Sequence, residues 1–296
     1  MSARATRLKR LRRSGFSLIE LLVAMVVTAV LGTALVRTML FSNRYVNRLE
    51  YGREARGTVR AALNLASSEL RMVSANTGIE TATATSLTLR VPFRVGLACA
   101  STPGIPGVLV ATFMPADTSI AGSSLGYNGF GYLQSTGEYA YVNSSLTPTT
   151  GANGSCMLSP ASLSLVPGSV VLVTTGVSLA TSIAPATPVI LWRRVRYAFA
   201  PSVVNPGRTA FWRQQLNNNN AIILSEELAA PLHERSRFGF FINNDRVSSD
   251  TLPTALADLR GIELRLSGES ARIARGTTQA EQSRLRMSIF FLNRPD

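Results

Sequence analysis

The stretch RRSGFSLIELLVAMVV, residues 12–27, carries a glutamate inside an otherwise apolar run. Glu20 is the only charged residue in residues 16–36, a segment that as a helix would extend over about 31 Å. The hydrocarbon core of a bilayer is about 30 Å thick, so this segment is long enough to cross a membrane. A charged side chain is unfavourable at membrane depth, and its presence there indicates a specific role.

The charge distribution around this segment predicts its orientation. The first fifteen residues contain no acid and six basic residues, Arg4, Arg7, Lys9, Arg10, Arg12 and Arg13. Such a leader favours a cytoplasmic N-terminus and export of the rest of the chain. Arginines on the far side, from Arg37 onward, weaken this bias without reversing it. The chain is 46% hydrophobic and 16% charged, which is unlike a disordered or a polytopic membrane protein.

Three kinds of processing fit the N-terminal segment. A secretory signal would be cut after the apolar run, near VLGTA, but the run is long for such a signal and contains Glu20. A twin-arginine signal would use Arg12 and Arg13, and the same glutamate interrupts its apolar core. The third alternative cuts before the run, after Gly15, and keeps the helix in the mature protein.

The third alternative is supported by a resemblance. The segment GFSLIELLVAM, residues 15–25, resembles the prepilin processing motif of type IV pilins and type II secretion pseudopilins. The resemblance implies that residues 1–15 are a leader peptide. It also implies that a prepilin peptidase cuts between Gly15 and Phe16 and methylates the new N-terminal Phe16.

The same resemblance implies a role for Glu20 in subunit assembly. In a packed filament the carboxylate would be buried among apolar helices, and it would need a cationic partner because an unpaired buried charge is unfavourable. The partner implied by the family is the N-terminal amine of a neighbouring subunit, which would set the axial register between subunits. In the alternative interpretation, Glu20 reaches the lipid head groups and has no assembly role.

The helix is predicted to continue well beyond the apolar run, because no proline occurs before Pro92. Apolar residues recur at helical spacing in Val59, Ala62, Leu63, Ala66, Leu70 and Val73. We therefore expect one helix over residues 16–75, with a transmembrane span at 16–36 and an amphipathic second half. Three glycines, Gly32, Gly52 and Gly57, are candidate bends, since each weakens a helix by about 1 kcal/mol relative to alanine.

Residues 76–296 are predicted to form a β-rich exported domain. SLTLRVPFRVG and IELRLSG alternate apolar and polar residues, and several other apolar runs of strand length are separated by turn residues. We predict an α+β fold in which the amphipathic half of the helix packs on an antiparallel sheet, as in pilins. Two segments rich in Ser, Thr, Gly and Pro, residues 101–126 and 143–169, are expected to be long loops.

Two further features favour a low-copy subunit. Arg37 occupies the position at which many major pilins carry a helix-kinking proline. The segment YGREARGTVRAALNLASSELRMVSANTG resembles PilW-like minor pilins at Gly52-Arg53 and at residues 69–72, and GspJ-like minor pseudopilins share a similar acidic-Leu-Arg ending.

The sequence contains no recognisable set of catalytic residues. We therefore expect no enzyme activity, no cofactor and no metal. His233 is the only histidine, which argues against histidine-based metal clusters and a Ser-His-Asp triad. We expect it at the surface. Export would permit a disulfide between Cys99 and Cys156, and the alternative is two unpaired buried thiols.

One arginine-rich region leaves two interpretations open. LWRRVRYAF and FWRQQ combine aromatic residues with Arg193, Arg194, Arg196 and Arg213. Interleaved basic and aromatic residues can bind nucleic acid by phosphate contact and stacking. The same pattern arises in a strand with one buried apolar face and one solvated arginine face.

These observations predict a minor pilin of a type IV pilus, active in assembly priming or in a tip complex. The alternatives are a minor pseudopilin of a type II secretion system and a pilus-borne module that binds DNA or surfaces. The expected partners are other pilin subunits, the prepilin peptidase and the inner-membrane assembly platform. Before assembly the protein would be single-pass in the inner membrane with its C-terminal domain in the periplasm, and afterwards it would lie in a pilus or pseudopilus.

Overall fold

The computed structural model describes residues 17–74, 77–113, 127–144, 149–150, 170–179, 181–243, 245–252, 255–273 and 277–291. The helix α1 spans Leu18–Leu70 and a 3-10 helix spans Leu256–Asp258. The strands are β1 Ile79–Ala82, β2 Ser86–Thr102, β3 Gly104–Phe113, β4 Gly129–Leu133, β5 Tyr139–Asn143, β6 Thr149–Thr150, β7 Val170–Leu179, β8 Pro188–Pro201, β9 Thr209–Leu216, β10 Ile222–Leu232, β11 Arg237–Ile242, β12 Leu259–Ile273 and β13 Ala280–Phe290.

The helix α1 is continuous over 53 residues, or about 80 Å. It runs without interruption through Gly32, Gly52 and Gly57, so these glycines do not break it. A Cβ atom at any of the three would meet no atom within 4 Å. They therefore do not serve close packing within the described chain.

The second half of α1 is amphipathic, as predicted. Its buried residues are Ala55, Val59, Ala62, Leu63, Ala66 and Leu70. Their spacing of three and four residues places them on one side of the helix. This stripe packs on the sheet in a core that includes the fully buried Tyr197, Phe211 and Phe238.

The strands form one antiparallel sheet, and the predicted α+β class is confirmed. Along its main path the strand order is β11-β12-β10-β9-β8-β2-β3-β7-β6. Outside this path, β13 pairs with β12, β1 with β2, and β4 with both β5 and β8. The helix lies over the end of the sheet that contains β10, β12 and β13.

The expectation of a long loop over residues 101–126 was wrong in its first part, which also holds GVLVATFM, one of the apolar runs of strand length. Residues Gly104–Phe113 form β3, which pairs with β2 on one side and β7 on the other. The run VLVATF within it is rich in β-branched and aromatic residues, which fit a pleated surface and outweigh the glycines and the proline before it. The expected loop over 143–169 lies mostly outside the described residues.

Candidate assembly site

The first part of α1, residues 18–50, is exposed at every position, and we call it the exposed segment. Among the described residues, one helix is long and apolar enough to cross a membrane, and none of its most apolar part is buried. Leu18, Ile19 and Leu35 are each more than two thirds exposed. A contiguous apolar surface of this size marks a site of contact with a membrane or with other proteins.

The exposed segment begins with a capped first turn. Ser17 has extended backbone angles, and its hydroxyl accepts a hydrogen bond from the Glu20 N–H at 3.2 Å. Its carbonyl accepts from the same N–H and from that of Leu21. Glu20 lies in the first turn, where a carboxylate interacts favourably with the positive end of the helix dipole. The cap thus holds Glu20 close to the start of the mature chain implied by cleavage after Gly15.

The threonine hydroxyls within the apolar run and just after it are bonded to the helix itself. The hydroxyls of Thr28 and Thr38 donate to the carbonyls four residues earlier, and the Thr33 hydroxyl donates to the Val30 carbonyl. Groups bonded in this way need no water, which suits a helix in lipid or in a packed bundle. Glu20 is therefore the residue whose polarity is not satisfied by the described part of the run.

The contact between α1 and the sheet begins beyond the run. Arg48 Nε lies 3.6 Å from Glu281 Oε1 on β13. Both side chains are partly exposed, so the pair contributes little stability.

A polar cluster of Glu69, Tyr197 and Arg213, which we call the Glu69 cluster, joins the end of α1 to the sheet. Glu69 accepts hydrogen bonds from Arg213 Nη2 at 2.8 Å and from Arg213 Nε at 3.1 Å. The Tyr197 hydroxyl also donates to Glu69 Oε2, at 2.5 Å. The side chains of Glu69 and Arg213 are only 17% and 12% exposed. This fork-shaped pair, completed by a tyrosine, is a strong and directional contact.

The pKa shifts in this cluster agree with its geometry. Burial raises the pKa of Tyr197, and the neighbouring Glu69 charge raises it further. Burial by itself would lower the pKa of Arg213, but the hydrogen bonds and charge of Glu69 raise it above its ordinary value. The phenol therefore stays protonated and the guanidinium stays charged at neutral pH, so the cluster is a fixed link between helix and sheet.

A glycine lets the helix backbone approach the sheet near the start of the buried stripe. At Gly268 on β12, a Cβ atom would lie 2.5 Å from both the Ala55 carbonyl oxygen and Val59 Cγ2. These distances are shorter than any ordinary contact. The close approach and the Glu69 cluster hold the two ends of the buried half of α1.

The four arginines of the predicted basic surface lie on two faces of the sheet. Arg194 and Arg196 alternate with Arg193 along β8, and Arg213 shares the face of Arg193. Arg194 is buried, with Nε 2.6 Å from Glu80 Oε2, and Arg213 binds Glu69. Arg193 stacks on Phe93 at 4.1 Å from the ring centre. Two of the four positive charges are thus neutralised within the domain.

The other predicted residues are placed as follows. Gly15, Phe16 and Cys156 lie outside the described residues, so processing and the disulfide stay predictions. Cys99 is buried in β2. The His233 side chain is 20% exposed, and its Nδ1 accepts a hydrogen bond from the Arg235 N–H.

Two elements of this site were missed in the sequence. Ser17 and Glu20 form the pattern of a capping box, in which a serine precedes a glutamate by three residues. That signal was available. Glu69 lies off the apolar stripe, and no local signal in the sequence pairs it with Arg213, which is 144 residues away.

The comparisons with known proteins agree with this architecture at the N-terminus. Residues 10–36 match the family described as the prokaryotic N-terminal methylation motif. This motif, together with the helix that follows it, indicates a type IV pilin-like or pseudopilin-like protein with a helix near its N-terminus that can anchor it in a membrane. No curated protein and no solved structure matches the chain.

Proposed function

We propose that this chain is a minor pilin of a type IV pilus, which acts in the complex that primes assembly or at the filament tip. The observation that carries the proposal is the division of α1 into two halves. Its first half exposes every residue, and its second half is fixed to a large sheet by an apolar core and the Glu69 cluster. Such a helix can enter a membrane or a helical bundle and carry the domain as a rigid unit. The role is structural rather than catalytic.

The proposed sequence of events starts in the inner membrane. The basic leader holds the N-terminus in the cytoplasm, the exposed segment spans the bilayer, and the sheet domain lies in the periplasm. The prepilin peptidase removes residues 1–15 and methylates Phe16. The inner-membrane assembly platform then extracts the subunit, and the exposed segment exchanges lipid for the apolar helices of other subunits.

In this scheme Glu20 pairs with the N-terminal amine of a neighbouring subunit. The capped first turn places the carboxylate one helical turn from its own terminus, so equivalent groups on adjacent helices can meet. Leaving the lipid interface removes the carboxylate from water, and pairing offsets that unfavourable burial. An ion pair in an apolar bundle also favours one axial register over others.

A minor pseudopilin of a type II secretion system is the second candidate, since the processing motif and the helix serve both assemblies. Deletion of the gene would distinguish them, because a pilus subunit is needed for piliation and a pseudopilin for secretion of folded exoproteins.

The internal ion pairs of Arg194 and Arg213 favour the strand interpretation of the arginine-rich region over nucleic-acid binding.

Mass spectrometry of the mature N-terminus tests the processing. We expect an N-terminal peptide that begins with N-methylated Phe16, and its loss when Gly15 is replaced by valine. A control replacement of Ser14 by alanine is expected to leave cleavage intact. A mature chain that begins beyond residue 30 would contradict the proposal.

Replacing Glu20 with alanine tests the assembly role. Membrane insertion and cleavage are expected to be normal, while incorporation into sheared filaments falls at least tenfold because the inter-subunit ion pair is lost. Glu50→Ala removes an exposed carboxylate from the same helix and is the matched control. Immunoblotting of filament and membrane fractions gives both quantities, and normal incorporation of Glu20→Ala would refute the role.

A further inference from the structure

Three arginines stand directly opposite one another on adjacent strands. Arg237 of β11 pairs in register with Arg265 of β12, and Arg265 pairs with Arg286 of β13. Like charges directly opposite each other destabilise a sheet. A row of three is therefore a feature that fold stability alone does not explain.

This row lies on the face of the sheet away from α1. Along β12, Leu264 and Leu266 belong to the core beneath the helix, so Arg265 between them points to the opposite side. Arg235 and Arg284 lie on the same side, and with the row they line a concave site of about 240 Å³. We call these five residues, Arg235, Arg237, Arg265, Arg284 and Arg286, the arginine cluster.

The charges of the arginine cluster are only partly balanced. Asp250 bridges Arg237 Nη1 at 2.7 Å and Arg265 Nη1 at 2.5 Å. Glu263 on β12 accepts from Arg265 Nε at 2.5 Å. The side chains of Arg284 and Arg286 are exposed, and neither forms a hydrogen bond or ion pair with a residue that the structure describes. Arg286 interacts electrostatically with Glu263, but the two arginines of β13 have no direct counter-ion among the described residues.

The same strand is an edge of the sheet. Among the described strands β13 pairs with β12 alone, so the backbone groups along its other side have no strand partner. Its outward residues are Arg284, Arg286, Ser288 and Phe290, each two positions from the next. Phe290 is 57% exposed, and its ring centre lies 4.8 Å from that of Phe241. The edge thus presents two cations followed by an aromatic surface.

We propose that the β13 edge and the arginine cluster form a docking site for an extended acidic segment of a partner protein, which adds to the sheet as an antiparallel strand. Alternate residues of a strand are about 6.8 Å apart, so two carboxylates at alternate positions would meet Arg284 and Arg286. Guanidinium-carboxylate pairs give such a contact strength and direction. Backbone hydrogen bonds to the open edge supply affinity, as in other strand-addition complexes.

Two observations favour an acidic peptide over a nucleic acid. The arginine cluster already binds a carboxylate of its own chain, since one Asp250 oxygen goes to Arg237 and the other to Arg265. The open edge of β13 can form hydrogen bonds with alternating backbone N–H and C=O groups, which a peptide has and a nucleic acid lacks. The inference does not rest on the proposed role in a filament.

Binding of a defined peptide to the full chain in detergent micelles tests the proposal. The probe is fluorescein-labelled Phe-Thr-Ser-Thr-Glu-Thr-Glu, whose antiparallel register places the two glutamates opposite Arg284 and Arg286 and the phenylalanine opposite Phe290. We expect binding by fluorescence anisotropy and at least tenfold weaker binding to the Arg284→Glu/Arg286→Glu variant. The control, Arg246→Glu/Arg272→Glu, makes the same charge change at exposed residues outside the arginine cluster and is expected to bind normally.

Three further measurements separate strand addition from simple charge attraction. The same peptide, with N-methyl groups on the backbone nitrogens that face the β13 edge, is expected to bind at least tenfold more weakly. Hydrogen exchange of the β13 amides in the unmodified chain is expected to slow when the unmethylated peptide is added. Equal binding of the N-methylated peptide would overturn the proposal. Tighter binding of an oligothymidylate of equal charge, lost in the same arginine variant, would overturn it in favour of a nucleic-acid surface.

Discussion

Replacing Arg213 with alanine is expected to lower the free energy of unfolding by about 2 kcal/mol, because it leaves the partly buried Glu69 carboxylate without its cation. The loss acts at the junction of α1 with β9, where Tyr197 alone cannot balance the charge. Urea unfolding of the full chain in detergent, followed by tryptophan fluorescence, measures the effect. Arg60→Ala, which removes an exposed arginine from the same helix, is expected to change stability by less than about 0.5 kcal/mol.

A double variant distinguishes the buried charge from the lost packing. Glu69→Leu together with Arg213→Met replaces the ion pair with apolar side chains of similar size. Such replacements are often neutral or stabilising, so the double variant is expected to recover part of the stability lost in Arg213→Ala, and the Tyr197 hydroxyl, which loses its acceptor Glu69, accounts for the remainder. If Arg213→Ala is no less stable than Arg60→Ala, the cluster is not a structural link.

Replacing Gly268 with valine is expected to lower the free energy of unfolding by about 3 kcal/mol, since the added side chain would overlap the helix backbone at Ala55 and the side chain of Val59. Strand propensity alone predicts the opposite sign, because valine is favoured over glycine in a strand. A lower free energy of unfolding would therefore be due to the close approach between helix and sheet and not to strand propensity. Hydrogen exchange of the α1 amides should show faster exchange over residues 55–70 in the variant.

Gly52→Ala is the matched control for Gly268→Val. Gly52 lies in α1 with no atom within 4 Å of the added Cβ, so the replacement is expected to raise helix stability by up to about 1 kcal/mol. A Gly268→Val protein as stable as the unmodified chain would mean that the helix does not lie this close to β12.

The helix could be predicted because its signals are local. The apolar run, the absence of proline and the three-four spacing from Val59 to Leu70 depend on neighbours within a few turns, and all appear in the observed helix. Its first cap was also readable, since Ser17 and Glu20 are three residues apart. The glycines misled because a long helix with good helix formers before and after each glycine tolerates single unfavourable residues.

The presence of an antiparallel sheet could be predicted from the sequence, but the order of its strands could not. Alternating runs predicted antiparallel strands, but strand order depends on pairings between distant segments. The residues before VLVATF suggested a loop, whereas pairing with both β2 and β7 places Gly104–Phe113 inside the sheet. The arginine-rich strand was equally ambiguous, since the burial of Arg194 depends on Glu80, 114 residues away.

The processing motif, the apolar helix with its single acid and the amphipathic continuation can all be read from short-range patterns in the chain. These features follow from composition and period over short distances. The contact of Glu69 with Arg213, the close approach of the helix backbone to Gly268 and the register of three arginines on adjacent strands are visible only in the folded structure. Each of these depends on strand register and on contacts between residues far apart in the chain, and a shift of one residue in register would move every side chain of a strand to the other face.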